Sequence, residues 1–228
     1  MKKSIIKKLF IKLSKILGYE LIDQSDFNSP TLQKELNEDL SIINEKSIVL
    51  PLGEVKITKR VNSVLIIFRT NTDVEIWDQN KKRLFEEPKI EYSLRALKSL
   101  IKSINFSKTK YPNIKFNILV VDDNSKEENL NKLNKLINGS GLDINVVPLK
   151  HDEYKDIIKQ QKNEQTFSNL ASLLQSFEFG KEHSEDLVFF VEDDYLHFEP
   201  MIEEMIASYM RIASQLSKDI FMCPTDYP

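Results

Sequence analysis

Three nearly continuous apolar runs, rich in β-branched and aromatic residues, stand out along the chain. Runs of this kind are typical of strands buried on both faces of a parallel sheet. A less apolar segment also fits a strand, and a further apolar segment begins a fifth near the C-terminus. The predicted strands are 61–69, 116–121, 143–148, 186–191 and 219–223.

Helical patterns separate these strands. Apolar residues recur at helical spacing in 90–104, 126–138 and 199–216, and a mostly polar helical region extends from 152 to 181. This alternation predicts an α/β fold, with a doubly wound, mainly parallel sheet and helices on both faces. Ligands of such sheets bind outside the carboxyl ends of the strands.

The N-terminal segment has the pattern of a basic amphipathic helix ending at Gly18, a plausible C-cap. Such a helix can lie in the interface of an anionic membrane, or it can pack on the domain or on a second subunit. The pattern leaves both open. Apolar residues on one face are Ile5, Ile6, Leu9, Phe10, Leu13, Ile16 and Leu17, and lysines on the other are Lys3, Lys7, Lys8, Lys12 and Lys15, with Ile11 as the exception.

Three parts of the chain are therefore expected. Residues 1–18 form the basic amphipathic helix. Residues 19–60 form a linker and helical extension, with one polar helix near 31–44. Residues 61–228 form the α/β domain.

Composition narrows the class of protein. With 41% hydrophobic and 29% charged residues among 228, the chain has the balance of a soluble globular protein. A net charge of -3 gives no global case for nucleic-acid binding. The single cysteine excludes an internal disulfide and favours a reducing compartment. We expect a cytoplasmic protein, with a peripheral position on the inner face of the membrane as the second option.

Three consecutive carboxylates, Glu192-Asp193-Asp194, follow the strand at 186–191. They would repel each other strongly in a site of low dielectric constant, and a divalent cation relieves that repulsion. Carboxylate oxygens suit Mn²⁺ or Mg²⁺, whose open positions the phosphates of a nucleotide can fill. The alternative is an exposed acidic turn before the next helix.

A second polar cluster, Asp122-Asp123-Asn124-Ser125, follows the strand at 116–121. A carboxylate at a strand end can accept hydrogen bonds from a nucleobase edge or from ribose hydroxyls. Ser125 is a typical N-cap for the helix that follows. Two carboxylates before the cap favour a binding role in addition.

The segments 61–71, 93–100, 117–125 and 187–200 occur in the order seen in family 2 glycosyltransferases, which the chain resembles. The resemblance implies a Rossmann-like GT-A fold whose first strand leads to the nucleobase and whose DxD segment binds a metal–diphosphate. Glu192 and Asp194 would hold the metal. The residues expected to bind the nucleotide-sugar are Thr70, Asn71, Asp122, Asp123, Asn169 and Asp193.

The sequence departs from the family pattern in three places. Phe68-Arg69 stands where a proline is usual, and glutamate replaces the first acid of the DxD segment. The chain given ends at Pro228, before the family's acceptor-binding half and its general base, so no catalytic base is assigned.

The predicted function is metal-dependent transfer of a sugar from a nucleoside-diphosphate sugar to a hydroxyl of an unidentified glycan or lipid-linked acceptor. A non-catalytic nucleotide-sugar-binding or scaffold protein of the same fold is the main alternative. A response-regulator receiver domain is a minor one, because the position expected for its phosphate-accepting acid, near Phe167, holds none.

Overall fold

The computed structural model describes residues 12–14, 16–17, 55–73, 87–158 and 164–222. Residues 12–14 and 16 are helical, as the N-terminal pattern predicts. The rest of that helix, the predicted helix near 31–44 and Cys223 lie outside the described residues. None of the helices in the described ranges is long and apolar enough to cross a membrane.

The chain divides into two compact units, Met1–Lys59 with Tyr209–Cys223, and Arg60–Ser208 with Pro224–Pro228. In the first, the backbone amides of Thr58 and Lys59 each donate to Ser214 Oγ at 2.9 Å. Lys59 Nζ also lies 3.0 Å from Asp219 Oδ1. The second unit contains the sheet and every predicted site residue.

Four parallel strands form the sheet of the second unit, in the order β3-β2-β1-β4. All eight residues of β1 are buried, which explains its continuous apolar pattern, whereas β3 at one edge is largely exposed. The strands are β1 Ser63–Thr70, β2 Lys115–Asp122, β3 Ile144–Pro148 and β4 Leu187–Glu192.

The strand register brings the two acidic clusters to one edge of the sheet. Thr70, the last residue of β1, pairs with Asp122 of β2, and Arg69 pairs with Glu192 of β4. The carboxyl ends of β2 and β4 therefore lie directly on either side of the end of β1.

Among the described residues, four helices lie between the strands in the chain and a further helix follows β4. They are α1 Lys89–Lys110, α2 Glu127–Asn138, α3 His151–Tyr154, α4 Glu164–His183 and, after β4, α5 Met201–Leu216. Phe179 of α4 packs against the cluster of Leu65, Ile67 and Val121 on one face. Ile66 and Phe68 point to the other face because side chains alternate along a strand. Because crossovers between parallel strands are right-handed in nearly all proteins, we expect α1 and α2 on that face. The doubly wound α/β prediction is confirmed.

The described part of the helical region at 152–181 contains α3 and α4. Two local predictions differ from the structure. Helix α1 continues beyond residue 104 to Lys110, with Tyr111 as its C-cap, because Pro112 disfavours helical backbone in the residue before it. The predicted fifth strand is wrong for its described part: residues 219–222 have no strand partner, and Phe221 is 93% exposed.

Candidate functional site

The site lies where the strand order reverses. Along the chain the sheet grows from β1 through β2 to β3, and then returns to place β4 on the other side of β1. In doubly wound sheets, ligands bind outside the carboxyl ends of the strands at such a point, which here are the ends of β1 and β4. Thr70, Asn71 and the acids after β4 surround this point.

Asp193, the middle acid of the triplet, is buried and accepts four hydrogen bonds from other parts of the protein. Thr70 Oγ1 donates at 2.8 Å and the Asn71 amide at 3.3 Å. From α1, Ser93 Oγ and Lys89 Nζ each donate at 2.6 Å. Asp193 therefore joins the ends of β1 and β4 to the first turn of α1.

Arg69 links Glu192 to Asn169. Its guanidinium donates a short hydrogen bond to Glu192 Oε1 and a second, at 3.2 Å, to Asn169 Oδ1. Burial lowers the pKa of Arg69, while Glu192, Asp193 and Asp194 act in the opposite direction. The guanidinium remains charged at any ordinary pH. It supplies part of the charge compensation that the sequence suggested a metal ion would provide.

Asp123 is buried and is held through both carboxylate oxygens. Asn71 Nδ2 donates to Oδ2 at 2.9 Å, and His151 Nε2 lies 2.7 Å from Oδ1. The His151 ring stacks on Phe167, with the centroids 6.0 Å apart, and its Nε2 also lies 3.0 Å from Asn124 Nδ2. An Nε2–H tautomer donates to Asp123 and fixes the direction of that carboxylate.

Asp122 is buried beside Asp123. Its Oδ2 accepts from the Ser125 amide at 3.1 Å, whereas its Oδ1 has no hydrogen-bond partner in the part of the chain that the structure describes. Burial raises the pKa of Asp122, the hydrogen bonds from Ser125 oppose this, and the nearby charges of Asp123 and Asp73 add to it. Because Oδ1 is itself buried, its missing hydrogen bond disfavours the charged carboxylate.

Helix α2 is capped differently from the prediction. The Ser125 hydroxyl accepts a hydrogen bond from the Thr72 amide at 3.1 Å instead of capping the helix. Lys126 is the N-cap residue, and its amide donates to Asp73 Oδ2 at 2.7 Å. Asp73, in the loop after β1, therefore accepts the hydrogen bond at the start of α2 that the sequence assigned to Ser125.

Asp194 is exposed, and no hydrogen bond or ion pair joins it to another described residue. No group of three or more His, Cys, Asp or Glu side chains within the described ranges is arranged to hold a metal ion. Mg²⁺, however, is commonly bound by one or two carboxylates together with substrate phosphates. Asp194 fits a cation shared with phosphate oxygens, and the described residues do not fit a site built from protein ligands alone.

The structure joins six of the eight predicted residues in two hydrogen-bonded groups. Asp123, Asn71, Asp193 and Thr70 form one group. Glu192 and Asn169 join through Arg69 in the other. Asp122 and Asp194 lie at the same strand ends, without a direct hydrogen bond to either group among the described residues.

Sequence reasoning assigned no role to Arg69, Lys89, Ser93 and His151. A signal existed for two of them. Arg69 interrupts an apolar strand, and a buried charge requires a partner. Lys89 begins a helix, where the helix dipole disfavours a cation unless an acid is near. Nothing in the sequence marks Ser93 or His151.

Comparisons with known proteins add little to this description. No family model matches the chain, and no curated protein matches it. Among solved structures, the chain is similar to S. aureus TarS 1-349, at 21% identity and a TM-score of 0.36. That match covers 64% of this chain and 31% of the TarS chain. At this TM-score the likeness carries no weight, and the fold assignment rests on the strand order.

Proposed function

We propose that the second unit binds a nucleoside-diphosphate sugar at the carboxyl ends of β1, β2 and β4, as the donor-binding part of a glycosyltransferase. The observation that carries this proposal is the hydrogen-bonded chain from Asp123 through Asn71 to Asp193, which lies at the switch point of a doubly wound sheet. Such switch points are where nucleotides bind in this class of fold. The resemblance of the surrounding motifs to family 2 glycosyltransferases selects a sugar nucleotide among the candidates.

The nucleoside end of the ligand is assigned to the β2 side. Asp123, held by Asn71 and His151, would accept hydrogen bonds from the base edge or from ribose hydroxyls. Thr70 lines the site, and we do not expect it to bind the nucleotide directly, because its hydroxyl donates to Asp193.

The diphosphate end is assigned to the β4 side. Asp194, with Glu192 beside it, would hold Mn²⁺ or Mg²⁺ together with phosphate oxygens. That cation, when bound, supplies Lewis-acid stabilisation of the charge that develops on the leaving nucleoside diphosphate. Arg69, which donates to both Glu192 and Asn169, would keep these two side chains together on the side of the site assigned to the diphosphate. The acceptor and the base that would deprotonate its hydroxyl are unassigned.

A non-catalytic sugar-nucleotide-binding protein is the second candidate. One observation favours it: Arg69 and Lys89 pair with two of the three acids that could attract a metal. Binding alone needs no catalytic base, so both candidates share the same donor site. Slow metal-dependent hydrolysis of a sugar nucleotide would favour the enzyme, and binding without turnover would favour the non-catalytic protein.

Isothermal titration with UDP, GDP, CDP and dTDP, each with and without Mn²⁺, tests the shared part of the proposal. We expect at least one nucleotide to bind, more strongly with metal, and Asp123→Asn to weaken that binding. Asp143→Asn is the matched control, since Asp143 is an exposed acid in the loop after α2. No binding of any of the four by folded protein would overturn the proposal.

A further inference from the structure

Large apolar side chains are exposed on the described part of the N-terminal helix. Leu13 is 55% exposed, Ile16 75% and Leu17 64%. The Leu17 amide donates to the Leu13 carbonyl at 3.1 Å, which confirms helical geometry there. Residues three and four positions apart lie on one side of a helix, so these three side chains form a single exposed apolar face.

The sequence around this face is strongly basic. Six lysines fall within residues 2–17, and the chain has no Asp or Glu before Glu20. At helical spacing, most of these lysines lie opposite the apolar side. Lys12, which the structure describes, is exposed. The surface therefore combines an apolar face with a net positive charge, since residues 1–19 contain lysines and no acid.

We propose that the face of Leu13, Ile16 and Leu17 docks into the interface of an anionic lipid bilayer. In such an interface, the apolar side chains can reach the boundary of the acyl chains. The lysine ammonium groups can then contact the phosphates of the lipid headgroups. A second copy of the helix fits less well, because it supplies no anionic groups for the lysines, whereas the phosphates of an anionic bilayer do. The proposal does not depend on nucleotide binding.

Co-sedimentation of the full chain with vesicles tests the proposal. The vesicles are phosphatidylcholine alone, or phosphatidylcholine mixed with phosphatidylglycerol, at low and high salt. We expect binding to the anionic vesicles at low salt and much weaker binding to the neutral ones. Charge attraction is screened over about 10 Å at 0.1 M salt, so high salt should release much of the bound protein.

Two sets of substitutions separate the apolar and the electrostatic contributions. Replacing Leu13, Ile16 and Leu17 together by serine should weaken binding by about a hundredfold or more, although every lysine remains. Lys12→Gln should weaken it by about fivefold. Ile157→Ser is the matched control, because Ile157 is 63% exposed but belongs to the sheet-containing unit. It should bind like the wild type.

The outcomes are decisive in both directions. Anionic-vesicle binding that the triple serine variant loses and Ile157→Ser retains supports the proposal. It is overturned if folded wild type ignores anionic vesicles at low salt, or if the triple variant binds as well as wild type. A dimer in light scattering that the triple variant dissociates, without vesicle binding, would show that a second copy covers the face. Circular dichroism should show all variants to be folded, since the replaced side chains are exposed.

Discussion

The ammonium nitrogen of Lys89 lies 2.6 Å from Asp193 Oδ1, and both side chains are only 10% exposed. The pair joins the first residue of α1 to the turn after β4. Lys89 stands at a helix N-terminus, where the helix dipole disfavours a positive charge. The negative charge of Asp193 therefore offsets both the charge of the lysine and its unfavourable interaction with the dipole. The middle acid of the triplet is therefore a structural anchor of the site, and it holds the end of β4, where Glu192 lies, and the turn that carries Asp194.

Removing this anchor should destabilise the second unit. Asp193→Ala leaves the partly buried Lys89 ammonium without its partner and takes an acceptor from Thr70 and Ser93. Loss of one partner of a buried ion pair costs about 3–5 kcal/mol. Urea unfolding of wild type and variant measures this difference.

Two further variants make that result specific. Asp194→Ala changes an exposed acid next in sequence, and we expect its free energy of unfolding to stay within about 0.5 kcal/mol of wild type. Adding Lys89→Met to Asp193→Ala should recover part of the lost stability, because the unpaired charge is gone. Equal stabilities for Asp193→Ala and Asp194→Ala would refute the anchor role.

Asp194 should govern the metal dependence of nucleotide binding. Because the described residues offer no three-ligand metal group, Mn²⁺ alone should not shift the melting temperature, and Mn²⁺ with nucleotide should shift it more than nucleotide alone. In Asp194→Ala the shift should be the same with and without metal. Glu199→Ala should behave like wild type, since an acid just before α5 is explained by the helix dipole, worth about 0.3–1 kcal/mol. The same metal-dependent shift in wild type and Asp194→Ala would show that Asp194 does not bind the metal.

His151 should orient Asp123 for the nucleoside. His151→Phe keeps a ring against Phe167 but removes the nitrogen 2.7 Å from Asp123 Oδ1. Loss of one hydrogen bond to a charged group should raise the nucleotide Kd by about tenfold. It should also reduce discrimination among the four nucleotides, which a purely structural role would not change.

A matched control exists in the same unit. His183 also stacks on a phenylalanine, Phe179, with centroids 5.8 Å apart, but it is exposed at the end of α4. His183→Phe therefore makes the same chemical change away from the site, and its Kd values should equal those of wild type. Unchanged Kd values and unchanged discrimination in His151→Phe would remove His151 from the site.

The sequence predicted the architecture well because burial dictates the pattern. A strand such as β1, with both faces covered, must be apolar throughout. Once the strands were known to be parallel, Asp122 and Glu192 had to emerge at one edge of the sheet. The wrong fifth strand shows the limit of this reasoning: apolarity at 219–222 does not provide a neighbouring strand to pair with.

The pairing of side chains was less predictable. Lys89 and Asp193 are 104 residues apart in the chain, and Asp123 and His151 are 28 apart. These contacts arise from where α1 and α3 dock against the sheet, which no local pattern encodes. The acidic triplet suggested a metal ion because the sequence alone does not show which lysine or arginine side chains pair with these acids. Arg69 was visible as a charge within an apolar strand, but its partner was not.

His197 should make the stability of the second unit depend on pH. Its Nε2 is buried without a hydrogen-bond partner among the described residues, and burial lowers the pKa of His197 from 6.5 to about 4. In the unfolded chain the exposed imidazole takes up a proton near pH 6.5, while the folded protein keeps it neutral down to about pH 4. Between these values the unfolded state binds more protons, so the free energy of unfolding falls as the pH falls.

His197→Phe keeps an aromatic ring near Phe189, whose centroid lies 6.4 Å away, and removes the titration. The stability of this variant relative to wild type should therefore rise as the pH is lowered from 6.5 to 4, and it should be constant above that window. Urea unfolding across the window measures the difference, with His183→Phe as the exposed control. A constant difference between His197→Phe and wild type at every pH would contradict the buried, neutral imidazole.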